Sequence, residues 1–153
     1  MNLNASVSVI IAMGTALAIG TARRADAEST VDPCSLLTTA QVSSAIGGAA
    51  QPGQPINKTG CSWSSTTPKA MVTISFDNLG TYASMKAGRS PVVTKTPVSG
   101  VGEDAFYSTM GPTTTLTVKK GDTYFVVRVY GFPDPARQRE IEKTLGAEAA
   151  ARM

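Results

Sequence analysis

The chain has 153 residues, with 14 basic and 11 acidic side chains, and its net charge of +3 is too small to favour a nucleic-acid-binding protein. It contains no histidine, which excludes a His-based catalytic triad and removes the commonest zinc ligand. The length suits one domain with one hydrophobic core.

The N-terminal segment has the pattern of a secretory signal peptide. Residues 7–22 form an uncharged run of apolar and small residues that is shorter than the roughly 20 residues a membrane-spanning helix needs. Residues 25–27 read Ala-Asp-Ala, an A-x-A cleavage pattern. We therefore predict a signal peptide over residues 1–27 and a mature domain over residues 28–153, located in the periplasm or secreted. An uncleaved anchor stays as the alternative, because the segment before the apolar run has no Lys or Arg and two arginines follow it.

The mature domain is predicted to begin with a helix over residues 39–46. Thr38 and Gln41 fit a T-x-x-Q capping box, and Gly47-Gly48 ends the helix. A turn-rich loop over residues 51–60 follows. After it come a short strand at "CSWSS", an alternating strand at "KAMVTISF" and a short helix at "NLGTYASMKAG".

The second half is predicted to be four strands and a final helix. The strands are "PVVTKTPV", "DAFYST", "TTTLTVKK" and "TYFVVRVYG", and Gly121-Asp122 signals a hairpin between the last two. Asp134 is a good N-cap for the final helix, with Pro135 at its first position. Short links between strands predict an α+β fold, with a mainly antiparallel sheet of about six strands flanked by helices.

The two cysteines, Cys34 and Cys61, are predicted to form a disulfide. Cys34 lies more than ten residues beyond the apolar run and follows "VDP", which does not suit a lipid-anchored cysteine. Two cysteines without histidine cannot supply the roughly four ligands of a structural metal site. The acidic neighbour Asp32 does not favour a reactive thiolate, and an exported chain with two cysteines is the usual setting for a disulfide.

The final strand carries the candidate partner-binding residues. Phe125, Val127 and Val129 share one face, which we assign to the core. Tyr124, Arg128 and Tyr130 share the other face, and Tyr and Arg are enriched at binding hot spots. The alternative is that a helix covers this face and the tyrosines belong to the core.

The segments "DPCSLLTTAQVSSAIGG", "CSW", "VSGVGEDAFYS" and "LTVKKGDTYFVVRV" together resemble a known family. Its members are small bacterial envelope proteins of unknown function, many of them lipoproteins, with a D-P-C-x-L-L opening and a C-x-W motif. The resemblance covers about residues 31–153 and implies a fold similar to the PsbP-like α/β/α sandwich. The resemblance implies that Cys34 and Cys61 form a structural disulfide and that Trp63 is an aromatic residue of the core. The chain lacks the lipobox of the lipoprotein members, and the family implies no catalytic residues.

The motifs do not favour an enzyme. "GVGEDA" fits a dinucleotide fingerprint, but the strand "AFYST" follows it where the mechanism requires a helix N-terminus. We predict no cofactor, no metal and no catalytic residue. The favoured function is an exported, non-enzymatic envelope protein that binds another macromolecule. The alternatives are a carrier of a small apolar ligand or lipid, an inhibitor or immunity protein, and an enzyme with unlocated chemistry.

Overall fold

The computed structural model describes residues 31–153, which form a seven-stranded antiparallel sheet with helices on both faces. The predicted signal peptide lies outside the described residues. The strands are β1 (Gln54–Asn57), β2 (Gly60–Thr66), β3 (Lys69–Asp77), β4 (Thr94–Val98), β5 (Asp104–Met110), β6 (Thr113–Lys120) and β7 (Thr123–Tyr130). The helices are a 3₁₀ turn (Pro33–Ser35), α1 (Thr39–Ile46), α2 (Leu79–Ala87) and α3 (Pro135–Ala150). The predicted α+β class is confirmed, with one strand more than the six expected.

The strands lie in the order β1-β2-β3-β7-β6-β5-β4, so β7 is the central strand and is paired on both sides. The additional strand is β1, which lies in the segment predicted to be a loop. It has only four residues and a register shift between Pro55 and Asn57. Proline is tolerated there because an edge strand does not need every amide for pairing. Proline and glycine near this segment masked the strand in the sequence pattern.

One face of the sheet, called here the inner face, carries the main hydrophobic core. Alternate residues of β3 and β7 point into it, including Val72, Ile74, Phe125 and Val127, all with no exposed surface. Helices α1 and α3 cover this face, and α3 crosses β6 and β7. The expected core side of β7 is therefore confirmed.

Capping residues begin the two inner-face helices, α1 and α3, where the sequence predicts them. Thr38 accepts a hydrogen bond from the backbone amide of Gln41, whose side chain accepts one from the Thr38 amide, so the capping box is complete. Asp134 caps α3 by accepting a hydrogen bond from the Ala136 amide, and Pro135 occupies the first turn. These caps satisfy amides that have no partner within the helix.

The disulfide joins Cys34 of the 3₁₀ turn to Cys61 of β2, across 27 residues of chain. Cys61 has no exposed surface, and Trp63, two residues further along the same face, is 1% exposed. The disulfide therefore holds the N-terminal segment against the inner-face core. The predicted cysteine pair is present.

The opposite face, called here the outer face, is covered only at one end. There α2 packs against a second apolar cluster made of Tyr82, Phe106, Tyr124 and Val126, with Leu79 at its margin. The ring centroids of Tyr82 and Tyr124 are 5.5 Å apart. No helix among residues 31–153 is both long and apolar enough to cross a membrane.

Candidate binding surface

The three candidate residues of β7 share the outer face, but the structure separates them. Tyr124 is fully buried beneath α2, and its hydroxyl lies 2.8 Å from Thr81 Oγ1. Arg128 is exposed, and Tyr130 is 39% exposed. The expectation that all three form one exposed patch is wrong for Tyr124, because α2 lies over the start of the strand.

The direction of α2 explains why the rest of this face stays open. Thr81 near its start contacts Tyr124 of β7, whereas Lys86 near its end pairs with Asp104 of β5, so the helix runs across the strands at one end of the sheet. Its buried contacts reach Tyr124 and Val126 and stop there. The second half of β7 is left without a covering element among the described residues.

Strand register places further side chains around Arg128. Thr73 of β3 is its direct cross-strand neighbour, and Met71 is the neighbour of Tyr130. Ser64 of β2 lies opposite Met71 in turn. Met71 is 40% exposed, as is expected for an apolar side chain with no layer above it. We call this surface the open patch; its residues are Ser62, Ser64, Lys69, Met71, Thr73, Thr115, Arg128 and Tyr130.

The open patch is basic. The strand positions that point to this part of the outer face include Lys69 and Arg128 but no carboxylate. The outer-face carboxylates lie at the α2 end: Asp77 is opposite Tyr124, and Asp104 forms an ion pair with Lys86 at 2.5 Å. Within the described residues Arg128 takes part in no salt bridge.

A buried polar network lies on the inner face behind the same half of β7. The paired residues of β6 and β7 run from Lys120↔Thr123 to Leu116↔Val127 and end there. Beyond that point side chains of α3 bind to β6. Gln138 Oε1 accepts a hydrogen bond from the Thr114 amide at 3.2 Å, and Glu142 Oε2 accepts one from Thr114 Oγ1 at 2.9 Å. The α3 side chains thus replace ladder bonds that the two strands do not make.

Glu142 is the most perturbed carboxyl group of this network. It has no exposed surface, and its Oε1 has no hydrogen-bond partner. Burial raises its pKa to about 7, against the opposing effect of the hydrogen bond from Thr114 and of the positive charges of Arg139 and Arg128. A perturbed carboxyl group can indicate a catalytic acid. Here the carboxyl group is enclosed between its own helix, α3, and the strands β6 and β7, so the geometry indicates a structural role.

Sequence reasoning missed the burial of Glu142. The apolar stripe of α3 consists of Ile141, Leu145 and Ala149, and all three residues are buried. Gln138 and Glu142 are four residues apart, so both lie on one side of the helix, next to the apolar stripe. Both are buried, which widens the packed side beyond the apolar residues.

A cleft of about 290 Å³ lies between α1 and α3. Its polar lining side chains bond to one another or to nearby backbone: Gln41 Nε2 donates to Glu148, Arg137 donates to Glu140, and Arg137 also donates to the Ala45 carbonyl. Such a lining does not favour an apolar ligand.

The family comparison agrees with the resemblance at the level of an unknown-function family. A family model described as a protein of unknown function (DUF3558) matches residues 14–150. No curated protein and no solved structure matches the chain. The PsbP-like assignment of the fold therefore stays a prediction.

Proposed function

The chain belongs to the DUF3558 family of proteins of unknown function, and we propose that it is an exported envelope protein that binds another macromolecule through the open patch. The observation that carries this proposal is the exposure of Arg128 and Tyr130 in the middle of the sheet, beside Met71. An open antiparallel face is normally polar. Here its centre presents a guanidinium that has no salt-bridge partner within residues 31–153, next to a phenol and a thioether.

The residue types support a protein-sized partner. Arginine and tyrosine combine a large contact area with polar ends, and they dominate the energetics of many interfaces. Arg128 and Tyr130 are paired with Thr73 and Met71 of β3, so the backbone beneath them is held on that side, which limits the conformational freedom lost on binding. The hydroxyls of Ser64 and Thr73 add hydrogen-bonding capacity around the centre.

We propose a binding role rather than catalysis. The chain has no histidine, and both cysteines are held in the disulfide. The carboxyl group with the most raised pKa, that of Glu142, is enclosed between α3 and the sheet. None of these observations places a nucleophile and a general base together at the surface.

Export is supported by two separate features. The apolar segment and A-x-A pattern of residues 1–27 predict a signal peptide, and the Cys34–Cys61 bond fits an oxidising compartment. N-terminal sequencing of protein from the envelope fraction should begin at Glu28. A protein that retains Met1 in the membrane fraction would require the anchored alternative.

The experiment that tests the binding role compares two single variants with the wild type. Affinity-tagged protein is expressed in its native organism, cross-linked and recovered, and the amount of each co-purified macromolecule is measured. Arg128→Ala should reduce recovery of the partner about 30-fold, which corresponds to a hot spot of about 2 kcal/mol. Lys143→Ala is the matched control, because Lys143 is an exposed cation on α3 at the opposite side of the sheet.

The melting temperature must be measured on the same variants. Arg128→Ala should shift it by less than about 3 °C, since exposed substitutions usually change stability by about 0.5 kcal/mol or less. A larger loss of stability would make Arg128 a structural residue. Equal recovery from wild type and Arg128→Ala would exclude the open patch as the binding surface.

A further inference from the structure

We infer that the partner at the open patch is a protein that presents a carboxylate to Arg128 from within an apolar surface. This inference rests on the proposed binding role and adds the chemistry of the occupant.

Charge complementarity selects an anionic group. Arg128 is exposed, forms no ion pair within residues 31–153, and shares the patch with Lys69 but with no carboxylate. The guanidinium group offers a planar fork that matches a carboxylate with two parallel hydrogen bonds. The three ion pairs of residues 31–153 lie elsewhere, so no carboxylate of that part of the chain forms a salt bridge with this guanidinium group.

The large side chains beside Arg128 favour a protein over a membrane surface as the partner. Met71 and Tyr130 lie directly opposite each other on β3 and β7, beside Arg128. Methionine adapts to irregular apolar partners, and tyrosine is enriched in protein interfaces. Binding to anionic lipid headgroups relies on clusters of four to eight basic residues. The strand positions of the open patch supply two, Lys69 and Arg128.

A second copy of the chain is not the favoured occupant. A two-fold contact through the centre of the patch would bring Arg128 towards its own symmetry mate, with no carboxylate from either copy between them. Such a contact would be repulsive. The pairing of β7 with β3 runs from Asp77↔Tyr124 to Met71↔Tyr130, and its pairing with β6 from Lys120↔Thr123 to Leu116↔Val127, so neither stretch is an open edge for strand addition.

Site-specific photo-cross-linking tests the inference on the full chain. The photoreactive residue p-benzoylphenylalanine replaces Ser64, which is exposed and lies opposite Met71. The same residue at Lys143 is the control on the far side of the molecule. Irradiation in the native organism, followed by mass spectrometry, identifies the molecule and the peptide attached at position 64.

The supporting result is a charge-swap rescue. Arg128→Glu should weaken binding of the identified protein at least ~10-fold, and reversing the contacted Asp or Glu of the partner to Arg should restore it. The wild-type affinity should also fall as salt is raised. Capture of a protein without this rescue, or through a contact that has no carboxylate, overturns the inference but leaves the binding role intact.

The remaining outcomes are also decisive. Attachment of lipid, glycan or a second copy of the chain at position 64 overturns the proposed protein partner. Absence of any product specific to position 64, relative to position 143, overturns both the inference and the proposed function. An Arg128→Glu variant whose melting temperature matches the wild type shows that its loss of binding does not arise from unfolding.

Discussion

The carboxyl group of Glu142 on α3 accepts a hydrogen bond from Thr114 on β6, at 2.9 Å, where the pairing of β6 with β7 has ended. The helix therefore binds the sheet through polar as well as apolar groups. Because the carboxyl group is fully buried, its protonation state is linked to the stability of the fold.

The first prediction concerns the pH dependence of stability. The pKa of Glu142 is raised from its ordinary value of 4.5 to about 7, so the folded protein holds this proton more tightly than the unfolded chain. Its favourable contribution is complete below about pH 4.5 and is lost as pH rises through 7. The loss amounts to roughly 3 kcal/mol. Urea unfolding at pH 4.5, 6 and 8 should show this decline.

Glu142→Gln is the control for that decline, because the amide keeps the shape but does not titrate. The variant should lose most of the pH dependence between 4.5 and 7. The carboxyl groups of Glu103 and Asp104 have lowered pKa values, through contacts with Gly121 and Lys86 respectively. Their contributions are lost as pH falls from around their unfolded pKa values of 4.5 and 3.8, which affects only the acidic end of this window and has the opposite sign. A wild type whose stability rises from pH 4.5 to 7 would contradict the prediction.

Removing the disulfide should destabilise the protein substantially. The bond between Cys34 and Cys61 closes 27 residues, for which chain entropy gives roughly 3.5 kcal/mol. Cys34→Ser should therefore lower the free energy of unfolding by about 2–5 kcal/mol in denaturant titrations. Reduction should raise the intact mass of the native protein by about 2 Da, and free thiols in the unreduced native protein would disprove the pairing.

Tyr124 and Arg128 should behave oppositely, although they lie four residues apart on the same strand face. Tyr124→Ala removes a buried ring that packs on Tyr82 and should cost about 3–5 kcal/mol. Tyr124→Phe should cost only about 1 kcal/mol, because it keeps the ring and removes only the hydrogen bonds of the hydroxyl with Thr81 and Met85. Thermal unfolding of these variants beside Arg128→Ala measures the contrast. A neutral Tyr124→Ala variant would show that α2 does not depend on this contact.

Gly146→Ala tests close packing of α3 on the sheet. Helix propensity alone predicts stabilisation of about 1 kcal/mol. A Cβ at this position would lie 2.6 Å from Leu116 Cδ2, in the closed core, and overpacking typically costs about 1–3 kcal/mol. We expect net destabilisation of about 1 kcal/mol in urea unfolding.

Leu116→Val is the partner variant for Gly146→Ala, because valine lacks the atom that would collide. In the double variant the two effects should be less than additive by about 0.5–1 kcal/mol. Strict additivity, or a stabilising Gly146→Ala alone, would show that α3 can move away from β6 at little cost.

Much of the fold could be predicted from local patterns. Period-two alternation in β3 and β7 identified the residues that point to the core, because successive side chains of a strand lie on opposite faces. The capping box at Thr38 and the Asp134-Pro135 start of α3 were equally local. The strand β1 was missed because Pro55 and a register shift obscure a pairing that depends on its neighbour β2.

The sequence by itself determined which side chains of β7 share a face and which two cysteines were available to each other. Only the tertiary structure decided how those faces are used. Alternation cannot reveal that α2 covers Tyr124 and leaves Arg128 open, because that depends on where a short helix packs along the strand. Nor does a charged residue on an amphipathic helix indicate its own burial. Glu142 is buried beside Gln138 where β6–β7 pairing ends, and there the two side chains accept hydrogen bonds from the hydroxyl and the backbone amide of Thr114 respectively.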